Sequence, residues 1–111
     1  MLLKRQNVEF EYALTNGEID IDKIMGRERR KRLLTVDCHR FDILAPYTNE
    51  YKSEYSNISK VLDFSASSAH EGSYFATYSD SNGRILLIFD PDDRMLDAMR
   101  VYIPSKLKRR V

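Results

Sequence analysis

The chain has 111 residues, a net charge of +1 and 42% apolar residues. This length and balance fit one globular domain over residues 1–111 and exclude a disordered chain. A net charge near zero provides no long-range field that selects an acidic or a basic partner, so any electrostatic preference must come from local patches. The single cysteine, Cys38, excludes an intrachain disulfide and favours a reducing compartment.

The apolar runs are too short for a membrane-spanning helix. The longest is Ile85 to Phe89, whereas a span needs about 20 residues. Met1 to Arg5 is not a signal peptide, because its charges follow a very short apolar core. We interpret residues 1–6 as a flank compatible with the end of a missing transmembrane segment, since Lys and Arg accumulate on the cytoplasmic side of such a helix.

Apolar and polar residues alternate on both sides of Asn16-Gly17 in the stretch from Val8 to Ile24, which predicts a hairpin of two half-buried strands. Asn and Gly tolerate the positive φ angles of a type I′ turn. This turn predicts a register with Leu14 opposite Ile19 and Tyr12 opposite Ile21, all on the buried face.

The polar face of this hairpin is acidic, and Glu11 is expected opposite Asp22, which is unfavourable without a nearby cation. The stretch Arg27 to Arg32 follows, with five cations in six residues. A third strand from Leu33 to His39, antiparallel to the second, would bring outward-facing cations close to the acidic residues. The sequence predicts that these cations are Arg29 and Lys31, so that the basic run complements the acidic face.

The middle of the chain is less regular. Phe41 to Leu44 predicts a fourth strand or a single helical turn, stopped by Ala45-Pro46. Tyr47 to Asn57 is polar without a lasting period and predicts a surface connection. The alternative is a helical segment, because Tyr47, Tyr51 and Tyr55 recur every four residues and would form one stripe.

The second half predicts three more strands. Val61 to Ala66 is the first of them, and a loop follows from Ser67 to Gly72. Tyr74 to Ser79 and Arg84 to Phe89 form a hairpin around the four-residue connection Asp80–Gly83. The last strand is apolar on both faces and must be covered twice, so we expect the sheet to cover one face and the following helix to cover part of the other.

That C-terminal helix has clear start and stop signals. Asp90 is the expected N-cap, Pro91 suits the first helical position, and the next two aspartates favour the positive end of the helix dipole. Pro104 ends the helix. A basic tail over residues 105–111 follows. The apolar stripe of the helix is predicted to be Met95, Leu96, Met99, Tyr102 and Ile103.

The order of elements resembles the bacterial pleckstrin-homology-like (PH-like) domain. This resemblance implies a mainly β (α+β) fold: a bent, antiparallel, seven-stranded sandwich or partial barrel that a C-terminal helix caps. The chain is also similar to an uncharacterised family of small Gram-positive membrane proteins. The similar stretches are Lys4–Tyr12, Thr15–Asp22, Arg30–Leu34, Ala45–Tyr47 and Leu87–Pro91.

These resemblances imply a cytoplasmic domain of unknown function, anchored at the membrane face in a longer parent protein. They transfer no active site and no cofactor. Phosphoinositide-binding members of the wider fold hold the headgroup with basic residues in an open first loop. Here that loop is the tight turn Asn16-Gly17, followed by Glu18, so the usual lipid site is absent.

The remaining candidate sites are weak. Cys38 and His39 are neighbours on a predicted strand and should point to opposite faces, which disfavours a shared metal. His70 near Ser67, Ser68 and Glu71 fits a solvated loop better than a nucleophile and its base. The three carboxylates of Asp90 to Asp93 are explained by helix capping, and a hard-cation site needs more oxygen ligands.

We therefore predict a non-enzymatic PH-like domain that binds an unknown protein partner, without metal or cofactor. The alternative is a peripheral binder of anionic membrane surfaces, since each cation near such a surface contributes up to about 1 kcal/mol. Nucleic acid is disfavoured because the acidic hairpin repels phosphate. The candidate contacts for an anionic surface are Arg27, Arg29, Arg30, Lys31, Arg32, Lys106, Lys108, Arg109 and Arg110.

Overall fold

A computed structural model of the chain describes residues 9–26, 29–67 and 69–110. The predicted flank over residues 1–6 and the candidate contact Arg27 lie outside these residues. Seven strands precede one helix, as predicted. The elements are β1 (Glu9–Thr15), β2 (Glu18–Ile24), β3 (Arg30–Asp37), β4 (Ile43–Pro46), β5 (Lys60–Asp63), β6 (Tyr74–Asp80), β7 (Gly83–Phe89) and α1 (Asp93–Tyr102), with 3-10 segments at Cys38–Arg40 and Asn49–Tyr55.

The strands form two sheets. The first has the order β1-β2-β3 and the second the order β4-β6-β7-β5, and within the described residues they do not close into a barrel. The prediction of a wholly antiparallel sandwich is wrong at β5, which runs parallel to β7. The long connection from β4 carries the chain to the start of β7, where the Ser59 N–H donates to the Arg84 carbonyl, so β5 enters the sheet from the same end as β7.

The first hairpin has the predicted register. Tyr12 pairs with Ile21 and Leu14 with Ile19, and both isoleucines are fully buried. Asn16 and Gly17 have φ angles of 51° and 85°, which is the left-handed conformation that a type I′ turn requires. Turn chemistry and burial therefore specify the same pairing.

β3 contains a bulge that the sequence did not predict. Ile21 pairs with Leu34, but the next residue of β2, Asp22, pairs with Arg32, so Leu33 is an extra residue in β3. An extra residue moves each preceding side chain of the strand to the opposite face of the sheet. Arg30 and Arg32 therefore face the acidic side, and the prediction that Arg29 and Lys31 do so is wrong.

The second hairpin is tighter than predicted. Its strands extend to Asp80 and Gly83, which pair with each other, so only Ser81 and Asn82 connect them instead of four residues. Gly83 has a φ of 125°, a conformation that a side chain rarely adopts. A Cβ at this position would also lie 2.3 Å from the Ser59 hydroxyl oxygen.

The core has two layers because β7 is buried on both faces. Leu87 and Phe89 belong to the main cluster, which lies between the two sheets and includes α1. Leu86 and Ile88 face a second cluster that is covered by Tyr47, Tyr51, Tyr55 and Ile58. The prediction that α1 covers this second face is wrong, and the helical alternative for the tyrosine segment describes the cover better.

α1 has the predicted apolar stripe but starts later than predicted. Leu96, Met99 and Ile103 are buried, whereas Arg94, Asp97 and Arg100 are exposed. The N-cap is Asp92, whose carboxylate accepts the N–H of Met95. The assignment of Asp90 as the cap is therefore wrong, and its carboxylate lies instead against the β5–β6 loop.

Candidate functional site

On the outer face of the first sheet, the two arginines of β3 pair with carboxylates of β1 and β2. Arg32 contacts Asp20 at 3.1 Å and also hydrogen-bonds to Asp22. Arg30 contacts Glu11 at 2.7 Å. Asp22 lies opposite Glu11, as predicted. The two arginines offset the repulsion between these two carboxylates. These arginines form cross-strand pairs of the kind that contribute roughly 0.2–1 kcal/mol each.

On the inner face of the same sheet, two cations lie side by side at the end of the strands that is farther from the Asn16-Gly17 turn. Lys23 and Lys31 are directly paired across β2 and β3, and Phe10 pairs with Lys23 on the other side. Like charges placed directly opposite each other are unfavourable. In the described ranges, neither ammonium group forms a salt bridge, although Arg30 and Arg32 on the outer face both do.

The C-terminal tail is folded against the domain. The Lys106 ammonium donates to the His39 carbonyl at 2.9 Å. Arg109 contacts Asp97 and, at 3.3 Å, Asp93 of α1. Arg110 donates to the Ser73 carbonyl at 2.9 Å and lies over the Tyr74 ring. Three of the four predicted tail contacts thus have internal partners.

The tail also closes one edge of the second sheet. Leu44 of the edge strand β4 donates its N–H to the Lys106 carbonyl at 3.0 Å, and its carbonyl accepts the Lys108 N–H at 2.8 Å. Farther along β4, Pro46 has no N–H, and its carbonyl accepts the Thr48 N–H at 2.9 Å. A proline and internal hydrogen bonds leave no room for a further strand.

The edge of β3 remains open. β3 pairs with β2 on one side, and within residues 9–26, 29–67 and 69–110 no backbone hydrogen bond reaches its other side. Arg30, Lys31 and Arg32 at its start are all exposed. Among the described residues, β1 and β5 also pair on one side only, but β5 has only four residues and β1 begins at Glu9, where the described range begins. The free edge of β3 is thus a template for pairing with another segment.

A pocket of about 330 Å³ lies between the tyrosine segment and the tail. The hydroxyl of Thr48 at this pocket is buried and has no hydrogen-bond partner among the described residues. Arg109 and Arg110, which line the pocket, also form the tail contacts described above. The lining residues are Pro46, Thr48, Glu50, Tyr51, Arg109 and Arg110.

Cys38 and His39 lie on a 3-10 turn, so the prediction that they point to opposite faces of a strand is wrong. Their ligand atoms and that of Asp37 lie within 4.8 Å of one another. However, Cys38 is fully buried, and burial together with the charge of Asp37 raises the pKa of its thiol. Hydrogen bonds from the His39 N–H and ring lower the pKa of Asp37, so this carboxylate already caps the turn.

His70 is part of a hydrogen-bonded loop. Its Nε2 lies 2.8 Å from Asp63, and its ring packs edge-on against Tyr47. Asp90 accepts hydrogen bonds from the Ser73 hydroxyl and the Ala66 N–H. The two carboxylates therefore fix the connection between β5 and β6, which is a structural role.

Tyr12 joins this loop to the first sheet. Its hydroxyl donates to the Phe64 carbonyl and accepts the N–H of Asp90 at 3.3 Å. Burial raises the pKa of Tyr12 to about 12, so the phenol stays protonated and can donate at every physiological pH. The hydroxyl holds the two sheets together at this point.

We expect Asp63→Asn to weaken the domain at neutral pH but not in acid. Burial alone would raise the pKa of Asp63, but hydrogen bonds from Ser65 and His70 outweigh it and lower the pKa below 3.8. A lowered pKa stabilises the fold above the unfolded-state value and ceases to do so as the pH falls through the folded-state value. Because the side chain is 42% exposed, the difference at pH 7 should stay below about 1 kcal/mol.

Urea unfolding of both proteins at pH 7 and near pH 3 measures this difference. A gap between the two proteins that is equally large at both pH values would contradict the role of the ionised carboxylate.

The fold combines a three-stranded and a four-stranded sheet with a C-terminal helix packed on the core between them, which defines a PH-like class of domain. Residues 1–109 match the family model described as "Bacterial PH-like domain (DUF6106)". The chain belongs to this family, and the predicted resemblance to a bacterial PH-like domain is confirmed. Neither the curated proteins nor the solved structures gave a match.

Two further observations bear on the candidate site. None of the helices in the described part of the chain is long and apolar enough to cross a membrane. Lys23 was missed by the sequence reasoning, which considered only the dense basic runs. Counting alternate residues from the turn would have placed Lys23 on the inner face, but only the bulge in β3 brings Lys31 opposite to it.

Proposed function

We propose that this PH-like domain is a non-enzymatic protein-interaction module, and that it binds an extended segment of a partner along the free edge of β3. The proposal rests on the contrast between the sheet edge at β4 and the sheet edge at β3. The tail and Pro46 close β4, whereas none of the described residues pairs with the outer side of the eight-residue strand β3. Addition of a strand at such an edge is a common mode of peptide recognition.

The absence of catalysis in this proposal is supported by the partners of the ionisable groups. His39 contacts the cap residue Asp37, and His70 contacts the loop residue Asp63. The thiol of Cys38 is buried and its pKa is raised, which makes it a poor nucleophile. Each of these groups already has a structural role.

In the proposal, the domain belongs to a membrane-anchored protein and works at the cytoplasmic face. The support is the sequence of residues 1–6, where two leucines precede Lys4 and Arg5, in the order found where a transmembrane helix enters the cytoplasm. An anchor would hold the β3 edge close to partners on the same membrane.

Direct binding of an anionic membrane surface is the weaker proposal. It needs the cations of the two basic clusters to be available for lipid headgroups. Arg30, Arg32 and Arg109 contact carboxylates of the same chain, and breaking these contacts offsets much of the gain of about 1 kcal/mol per cation at a membrane.

Site-specific photo-crosslinking in the native bacterium tests the β3 proposal. A photoreactive residue at Thr35, exposed on β3, should give a discrete adduct with one partner protein. The matched control is Val101, which is 78% exposed on α1 and should give none. Adducts of equal yield and pattern at both positions, or none at Thr35, would contradict binding at this edge.

A further inference from the structure

Lys23 and Lys31 place two positive charges on the inner face next to the β3 edge, and neither forms a salt bridge with a residue that the structure describes. Their Cα atoms are register partners, so the two side chains project from the same row of the sheet. On the outer face, by contrast, both arginines of β3 contact carboxylates, as in the pairs of Arg32 with Asp20 and Asp22. Within the described residues, the lysine row contains no carboxylate at salt-bridge distance.

We propose that this row recognises a carboxylate of the bound segment, so that the partner of β3 is an acidic extended peptide. The inference rests on the proposed function, because it assigns the chemistry of the ligand at the same edge. A residue added opposite Lys31 would project to the same face as Lys31 and Lys23. Its Cβ would lie roughly 4.5–5.5 Å from that of Lys31, the separation at which opposite charges pair across strands.

The neighbouring rows predict the rest of the peptide pattern. Leu34, the next inner-face residue of β3 beyond the bulge, is half-buried and packs against the main cluster. On the other side of Lys31, Arg29 is exposed and adds a further cation. An apolar residue is therefore favoured two positions from the acidic one on the Leu34 side. An acidic residue on the outer face should contribute little, because Arg30 and Arg32 are already neutralised.

The test uses the isotope-labelled protein and two synthetic heptapeptides at low ionic strength. One is Thr-Val-Thr-Glu-Thr-Val-Thr, and the other has Lys in place of Glu. Binding is followed by NMR through the amide signals of β3. We expect the Glu peptide to bind about three- to five-fold more tightly than the Lys peptide, which corresponds to one or two cross-strand charge pairs.

Substitutions test whether the preference for the Glu peptide depends on Lys23 and Lys31. The preference for Glu should disappear in Lys31→Ala, weaken in Lys23→Ala and reverse in Lys31→Glu. The matched control is Lys52→Ala, because Lys52 is exposed on the 3-10 segment Asn49–Tyr55 and lies outside this row. All four substitutions are at solvent-accessible charges, so the dispersion of the NMR spectrum should be retained.

The possible failures are distinguishable. If both peptides shift the β3 amides with equal affinity, or if the preference survives Lys31→Ala, the carboxylate proposal is wrong and binding at the edge stands. If neither peptide shifts any β3 amide, both proposals are wrong. If vesicles containing phosphatidylglycerol perturb the Lys23 and Lys31 signals and the peptides do not, the ligand is a membrane surface, which overturns the assignment of a peptide.

Discussion

Phe75→Ala should lower the free energy of unfolding by about 3–5 kcal/mol, the usual cost of removing a buried phenylalanine ring. Phe75 is fully buried, and its ring contacts those of Tyr47, Tyr51 and Tyr55 at centroid distances of 6.4, 6.3 and 4.9 Å. Loss of the ring removes both core volume and the surface on which the tyrosine segment packs. Chemical denaturation measures the total effect.

Hydrogen exchange measures the local effect of the same substitution. Amide protection in Asn49–Tyr55 should fall more than in β1 and β2, which belong to the other cluster. Val101→Ala is the control, since a highly exposed side chain should change stability by less than about 0.5 kcal/mol. A loss below 1 kcal/mol for Phe75→Ala, with unchanged protection of the segment, would show that the tyrosines do not cover the sheet.

Asp90→Ala should destabilise the domain by about 2–4 kcal/mol, because hydrogen bonds to a charged group are worth about 1.5–3 kcal/mol each and leave costly unpaired partners when lost. The carboxylate of Asp90 accepts the Ser73 hydroxyl at 2.5 Å and the Ala66 N–H at 2.9 Å. Ser73 is only 1% exposed, so water cannot replace the lost acceptor.

Asp92→Ala is the matched variant for this comparison. It removes the true N-cap of α1 and should cost about 1 kcal/mol, the typical loss for a capping residue. Thermal or urea unfolding of the two variants gives the order directly. If Asp92→Ala were the more damaging of the two, Asp90 would not have the loop-fixing role described above.

The sequence predicted the local features of the fold well, because they depend on neighbouring residues. The turn at Asn16-Gly17, the pairing of Tyr12 with Ile21 and the apolar stripe of α1 all follow from periodicity and turn chemistry. Asp90 was wrongly assigned as the N-cap because that prediction also used only neighbouring residues. Asp90-Pro91 is a good local helix start, but Ser73 and Ala66, which are distant in sequence, compete for its carboxylate.

The non-local features could not be read from periodicity. The direction of β5 depends on where a long connection crosses the sheet, and the cover over Leu86 and Ile88 depends on a segment that has little hydrophobic pattern of its own. At the candidate site, the sequence identified Lys31 but not Lys23. The bulge at Leu33 decides which cations are neutralised, and no local signal marks it.

The parallel pairing of β5 has a consequence for the order in which the chain folds. β1–β2 and β6–β7 are joined by two-residue turns and can form early, since closing a short loop costs little entropy. β5 can pair with β7 only once that hairpin exists and the intervening chain has been brought back to it. We therefore expect β5 to join last during refolding and to be the first strand to detach from the second sheet in native-state fluctuations.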